Sequence, residues 1–333
     1  MIVKDLTQVK EVYARAAGKG WVLPCICSEN QTTTEAILAA ASEFGKIYGI
    51  KKVPVIIAIT VNYSHRSQAP NYTHSRDWKT GLKLFLGDIE ALAGKGGLYN
   101  DVAAMIHLDH VQCDLDKELL ESDLSPYSSI MYDASVLPFG KNIELTAAFV
   151  ERKGKTILVE GACDEIMDAT GSERNDLTTP ANAERFIRET CVDMIVANLG
   201  TEHRASGREL MYHGELARKI KKKIGTNIVL HGTSSVGNDQ VKELFDDGVC
   251  KVNIWTALER DSSPPLFEDM VLNASKTAGP AAVDKLIREG YLTEKCRTGE
   301  KMNLGFFTAT YRQDIVYAAM KNMVSDYLKL WYK

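Results

Sequence analysis

The sequence predicts an α/β fold, a single (β/α)8 TIM barrel with extra C-terminal helices, on two observations. Short apolar runs, eight in all, alternate with helix-patterned segments, the order that builds a parallel barrel. Most of these runs are near-continuously apolar, as parallel strands buried on both faces must be. A doubly wound sheet is the weaker reading, because it wants a glycine-rich first turn and no glycine follows the first apolar run.

Taken in order, the first 16 residues are helical by pattern, with Val9, Val12, Tyr13 and Ala16 at i, i+3, i+4, i+7 spacing. Strands are predicted over 22–27, 53–61, 103–108, 129–132, 156–163, 194–199, 227–230 and 249–254. Helices are predicted over 33–48, 142–153, 181–190, 210–223 and 239–247. The second connection is long, 62–97, and contains a helix-like piece over 78–93. The barrel is expected over about 20–275, in one domain spanning 1–333. The extension from 276 to 333 is helical and ends in a stripe of Ile315, Ala318, Met323 and Tyr327, suited to packing on the barrel or on a second subunit.

Composition is that of an ordinary globular protein, 45% hydrophobic and 25% charged. The net charge of −4 gives no reason to expect nucleic acid or an anionic membrane as a partner. The basic run 219–223 reads as a solvated helix end. No signal-peptide pattern and no membrane-length apolar stretch is visible. The 7 cysteines are odd in number and form no CxxC pair, which suits reduced thiols in a cytoplasmic protein. The sequons at Asn62, Asn71 and Asn273 carry little weight without secretion.

In such barrels the chemistry lies at the C-terminal ends of the strands. Those ends supply Ser28, Glu29 and Asn30, then Asp109 and His110, Asp133 and Ser135, and 160–164. His203 and Arg204, 231–235, and Asn253 and Thr256 follow. Three histidines, His110, His203 and His231, stand at the ends of separate predicted strands. Neutral imidazole is a preferred zinc ligand, and three protein ligands with one open position is the usual catalytic arrangement. Of the other histidines, His107 reads as a core residue or a support for the site, His65 and His74 as loop residues, and His213 as a surface helix residue. Asp109, beside a metal histidine, is the acid/base candidate. Asp133 is suited to orienting a ligand, binding a second ion or capping a strand. The turn His231-Gly232-Thr233-Ser234-Ser235 can offer backbone and hydroxyl donors to an oxyanion, at a place where barrels often bind phosphate. There is no GxxxxGK[ST] loop.

These motifs, in this order from about residue 21 to 256, resemble the class II, metal-dependent ketose-bisphosphate aldolases. The similar segments are His107-Leu108-Asp109-His110, the stretch 129–139 with Asn142, 179–193 with Gly200-Thr201-Glu202-His203, Leu230-His231-Gly232 and Lys251-Val252-Asn253-Ile254. The resemblance implies a zinc-dependent aldolase that reversibly cleaves a ketose (bis)phosphate or related anionic keto-sugar through a metal-stabilised enediolate. It implies that His110, His203 and His231 hold the ion, that Asp109 is the acid/base at the C4 oxygen, and that Asn253 contacts the ketone half. Asn30, Arg204, Gly232, Ser234 and Thr256 are the expected further substrate and phosphate contacts. A monovalent cation near the phosphate site and a homodimer or homotetramer are also family expectations.

The chain departs from the family at several points. The fifth-strand motif Val-Glu-x-Glu-Leu-Gly is here Val159-Glu160-Gly161-Ala162-Cys163-Asp164. Glu160, on the same strand face as the missing glutamate, and Glu173, matched to a mobile-loop glutamate, are the expected replacements. Arg204 stands where the family has glycine, Thr233-Ser234-Ser235 follows Gly232, and Trp255 replaces an aspartate. These changes argue against ordinary fructose 1,6-bisphosphate as substrate, and Arg204 suits a phosphate, carboxylate or sulfonate. A non-catalytic or regulatory member of the family is the alternative function. A zinc hydrolase is weaker still, because Cys25-Ile26-Cys27 stands where such barrels carry an HxH pair.

Overall fold

The computed structural model describes residues 1–63, 65–166 and 177–332. Its eight parallel strands close into a barrel in sequence order. They are β1 (Leu23–Cys27), β2 (Pro54–Thr60), β3 (Ala103–Gln112), β4 (Ser129–Asp133), β5 (Leu158–Ala162), β6 (Met194–Val196), β7 (Ile228–Leu230) and β8 (Val249–Ile254). Closure comes where β1 pairs with β8, Cys25 opposite Asn253. Every residue of these strands is buried, which explains why they read as continuous apolar runs rather than alternating ones.

Helix α1 (Leu6–Gly18) precedes the barrel. Between the strands lie α2 (Gln31–Tyr48), α3 (Trp78–Ala93), α4 (Lys117–Glu121), α5 (Phe139–Lys153), α6 (Pro180–Thr190), α7 (Gly214–Ile224) and α8 (Leu244–Asp247). After β8 come α9 (Thr256–Leu272), α10 (Ala274–Ala278), α11 (Pro280–Arg288), α12 (Leu304–Phe307) and α13 (Ala309–Trp331). Local chemistry sets several ends: Asn30 caps α2 by accepting from Thr33 N, and Gly49 stops it in the left-handed region at φ 67. Thr179 caps α6, with Pro180 in its first turn.

Three predicted elements are shorter than expected because their backbone groups bond elsewhere. The strand predicted over 194–199 stops at Val196, since Asn198 N donates to Thr178 Oγ1 at 2.7 Å. The helix predicted from 210 begins at Gly214, since Leu210 N bonds Ser235 O and Tyr212 N bonds Gln240 Oε1. The helix predicted over 239–247 is the single turn α8; Gly237 and Asn238 instead close turns onto Gln240 and Val241.

The C-terminal helix packs on its own barrel. α13 runs along α2 and α9. Its buried residues are Met320, Val324, Tyr327, Leu328 and Trp331; of the predicted stripe, Tyr327 is buried but Ala318 faces solvent. Trp331 Nε1 donates to Val241 O at 2.9 Å, Tyr332 donates to Pro54 O at 2.7 Å, and the Tyr332 ring stacks on Trp21 with centroids 4.5 Å apart. Trp21 and Pro54 lie at the starts of β1 and β2, so the end of the tail is anchored at the N-terminal end of the barrel, opposite the strand ends that line the cleft. No helix of the described residues is long and apolar enough to cross a membrane. Trp331→Ala removes a fully packed indole and its hydrogen bond, and is expected to cost about 3–5 kcal/mol of stability in a urea melt.

Candidate active site

The site begins with an irregularity in β3. Successive side chains of a regular strand point to opposite faces, yet Asp109 and His110 are neighbours and both line one cleft. The strand accommodates this with a one-residue bulge. Leu108 lies opposite Ile130, but Val111 lies opposite Tyr132, so three steps on β3 match two on β4. His110 takes φ 46, a left-handed conformation that costs a non-glycine residue roughly 1–2 kcal/mol.

Asp133, at the end of β4, holds the re-aimed imidazole. His110 Nδ1 donates to Asp133 Oδ2 at 2.7 Å, and Gln112 Nε2 donates to the same oxygen at 2.9 Å. Ser135 N and Oγ donate to Oδ1 at 3.0 and 2.7 Å. Of the three roles considered for Asp133, orienting a histidine is the one its contacts show.

His203 and His231 come from loops that brace each other. Thr201 Oγ1 donates to His231 O at 2.6 Å, and Glu202 N donates to Ser235 Oγ at 3.0 Å. Gly232 sits at φ 70, and a Cβ there would lie 2.7 Å from the Glu202 backbone, so only glycine permits this approach. The Tyr63 ring stacks on His110, with centroids 4.2 Å apart and planes within 8°, and its hydroxyl lies 3.3 Å from His203 Nδ1.

The three imidazoles converge. One nitrogen from each lies within 4.8 Å of the others, and His110 Nε2 is 3.1 Å from His231 Nδ1. Ligand nitrogens around a tetrahedral zinc are about 3.3 Å apart. His231 Nε2 is buried without a hydrogen-bond partner. Burial pushes His203 down to about 3 and His231 well below its usual value, so both are neutral, the form that binds metal. Burial also opposes charge on His110, but Asp109 and Asp133 outweigh it and raise its pKa. Donor type, spacing and the neutrality of His203 and His231 therefore fit a divalent ion.

Asp109 is buried beside them. It accepts from Asn253 Nδ2 at 2.8 Å and from Cys27 Sγ at 3.4 Å. Burial alone would raise its pKa, but the charge of His110 and the hydrogen bond of His107 hold it well below the usual carboxylate range. Under it lies a fully buried lysine that sequence reading did not single out as functional. Lys251 Nζ is 2.7 Å from both Glu160 oxygens and 3.2 Å from His107 Nε2, while His107 Nδ1 is 2.8 Å from Ser129 Oγ. Burial disfavours the ammonium, yet the surrounding negative groups raise its pKa.

Glu160 therefore does not stand where a proton donor to substrate must stand. Both its oxygens are taken by Lys251 inside the barrel, and it is not part of the cleft wall. Asn30 is also elsewhere, exposed and occupied as the cap of α2. Glu173 lies outside the described residues. Arg204, Gly232, Ser234, Asn253 and Thr256 do line the cleft, an open space of about 570 Å³. Arg204, at φ 52, donates Nη1 to His65 O at 2.5 Å. His65 thus belongs to the wall, and His213 precedes α7 rather than lying within it.

Sequence reading missed Tyr63 and Arg66, both on the cleft wall. The unusual length of the second connection was the available signal. Near Arg66 lies Glu259, whose buried Oε1 has no partner; burial first, then the charge of Glu29, push its pKa up to about 7 against the pull of Arg66.

An eight-stranded barrel whose strand ends gather three histidines around a buried carboxylate has the features of an enzyme with a metal-binding cluster. The chain belongs to the class II fructose-bisphosphate aldolase family, whose model matches residues 7–309, and is thereby an aldolase, a carbon–carbon lyase. A fructose-bisphosphate aldolase of Treponema pallidum (strain Nichols) is 26% identical over 299 residues, 75% of this chain and 81% of that protein. Among solved structures, the fructose-bisphosphate aldolase (Fba) of Campylobacter jejuni matches with TM-score 0.75 at 17% identity, covering 99% of this chain and 95% of that one. The YdjI aldolase from Escherichia coli K12 matches with TM-score 0.68 at 18% identity, covering 99% and 97%. At these identities the structural likeness speaks for the fold alone.

Lys251→Met leaves Glu160 buried without its partner and is expected to destabilise the protein by about 3–5 kcal/mol in chemical denaturation, with Lys251→Met/Glu160→Gln recovering much of the loss. Glu259 has a folded pKa above its unfolded value near 4.5, so its contribution is present below that pH and lost as pH rises to about 7. The wild-type melting temperature should therefore fall more between those two pH values than that of Glu259→Gln, as read by calorimetry.

Proposed function

We propose that this protein is a zinc-dependent aldolase that reversibly cleaves a phosphorylated or otherwise anionic ketose. The observation that carries this reading is the convergence of His110, His203 and His231 beside buried, ionised Asp109. His110, His203 and His231 would hold the ion. When bound, a divalent ion supplies Lewis acidity for a ketone oxygen and stabilises negative charge developing on the ketone half.

In cleavage Asp109 takes the proton of the substrate's C4 hydroxyl as the C3–C4 bond breaks. The aldehyde half departs, and the bonding electron pair stays with the ketone half. In condensation Asp109 returns the proton to the new hydroxyl oxygen. Asn253 fixes Asp109 through its amide NH, while its Oδ1, buried without a partner, is placed to accept from a hydroxyl of the ketone half. Lys251, Glu160 and His107 position Asp109 from below and touch no substrate. Arg204 and the Gly232–Ser234 turn offer donors to the substrate's anionic groups.

Purified protein should contain one divalent ion per chain by elemental analysis, and His231→Ala should lose it. Asp109→Ala should retain the ion but lower kcat for retro-aldol cleavage of a ketose phosphate by about 10²–10⁴. Unchanged turnover in Asp109→Ala would overturn the assignment.

A further inference from the structure

The long connection between β2 and α3 brings Arg66 to the wall of the cleft, and the fold holds it there in three ways. Thr60, the last residue of β2, donates its hydroxyl to the Arg66 carbonyl at 2.5 Å, and Gln68 bonds Thr60 on both sides of the same turn. Glu29, just after β1, takes the Nε and Nη2 edge of the guanidinium, and its carboxylate is held in turn by Asn71 Nδ2 at 3.3 Å. The guanidinium lies over the Trp255 indole, 4.9 Å from the ring centroid.

This leaves donors without acceptors. Nη1 of Arg66 has no hydrogen-bond partner among the described residues, and Trp255 Nε1 is buried without one. Arg66 and Trp255 both line the cleft, whereas Glu29 does not. Thr256 and Ala257, the first residues of the 17-residue helix α9, line the same wall and bring its N-terminal amides. Guanidinium, indole N–H and helix amides exceed what the two oxygens of a carboxylate can use, and they suit the three acceptor oxygens of a phosphate monoester.

We propose that Arg66, stacked on Trp255, is a specificity-determining residue that binds a terminal phosphate of the substrate. The inference rests on the aldolase reading for the identity of that substrate, but the site itself can be probed with inorganic phosphate. Glu29 does not cancel the role. By taking one edge of the guanidinium it fixes the other, so less conformational freedom is lost when phosphate binds.

The test measures inorganic phosphate binding to the metal-loaded protein by calorimetry, alongside KM and kcat for a ketose phosphate. Arg66→Gln is expected to weaken phosphate binding about tenfold or more, the effect of a lost charge-assisted hydrogen bond, and to raise KM more than it lowers kcat. Arg66→Lys, which keeps the charge but not the planar fork, should recover only part of this. Trp255→Phe keeps the stacked face, loses the N–H, and should weaken phosphate binding by a smaller factor of about threefold. Phosphate affinity equal to wild type in a folded Arg66→Gln protein would overturn the proposal. If no ketose phosphate is cleaved by the wild type, the aldolase reading fails, while phosphate calorimetry still decides the role of Arg66.

Discussion

The bulge in β3 is the constraint on which the site depends. A regular barrel strand presents only every second residue to the cleft, yet this chain brings a carboxylate and an imidazole there from adjacent positions. The extra residue between Leu108 and Val111 and the left-handed backbone of His110 resolve the conflict. Such backbone strain persists only where the surroundings over-determine it. Here Asp133 grips the imidazole, Tyr63 covers its face, and the flanking strand on each side is fully buried.

A second layer of support is electrostatic. Buried acid groups are tolerated when they are paired and hydrogen-bonded. Glu160 meets Lys251, Lys251 reaches His107, and Asp109 is bonded by Asn253. The interior of the barrel is thus a polar stack in an apolar shell, with its charges fixed by strands β3, β5 and β8. Around the cleft rim, by contrast, the positively charged groups Arg66 and Arg204 come from loops, where substrate preference can change without disturbing the barrel.

Much of this was legible in the sequence. The strands announced themselves because burial on both faces demands apolar residues at every position, and the motif histidines and Asp109 stood at their ends. Element boundaries were less legible where side chains capture backbone groups, as Thr178 does at Asn198 and Gln240 does at Tyr212. Glu160 was misplaced for a related reason. Strand periodicity puts it on the inward face, but depth along the barrel decides whether inward means the cleft or the core, and only the lysine across the barrel fixes that. Asn30 was drawn toward the site by its position at a strand end, while its short amide serves the nearer helix N-terminus instead.

By itself, the sequence determined the barrel, the three histidines and the carboxylate beside them, because each follows from local pattern: apolar runs, turn residues and short motifs. The tertiary structure alone decided which groups meet. Tyr63 meets His110 and His203, Lys251 meets Glu160, and Arg66 meets Glu29 and Trp255, pairs separated by 37 to 189 positions, spacings that no local pattern records. Those meetings are products of barrel closure, which brings the first strand against the last and turns distant residues into neighbours.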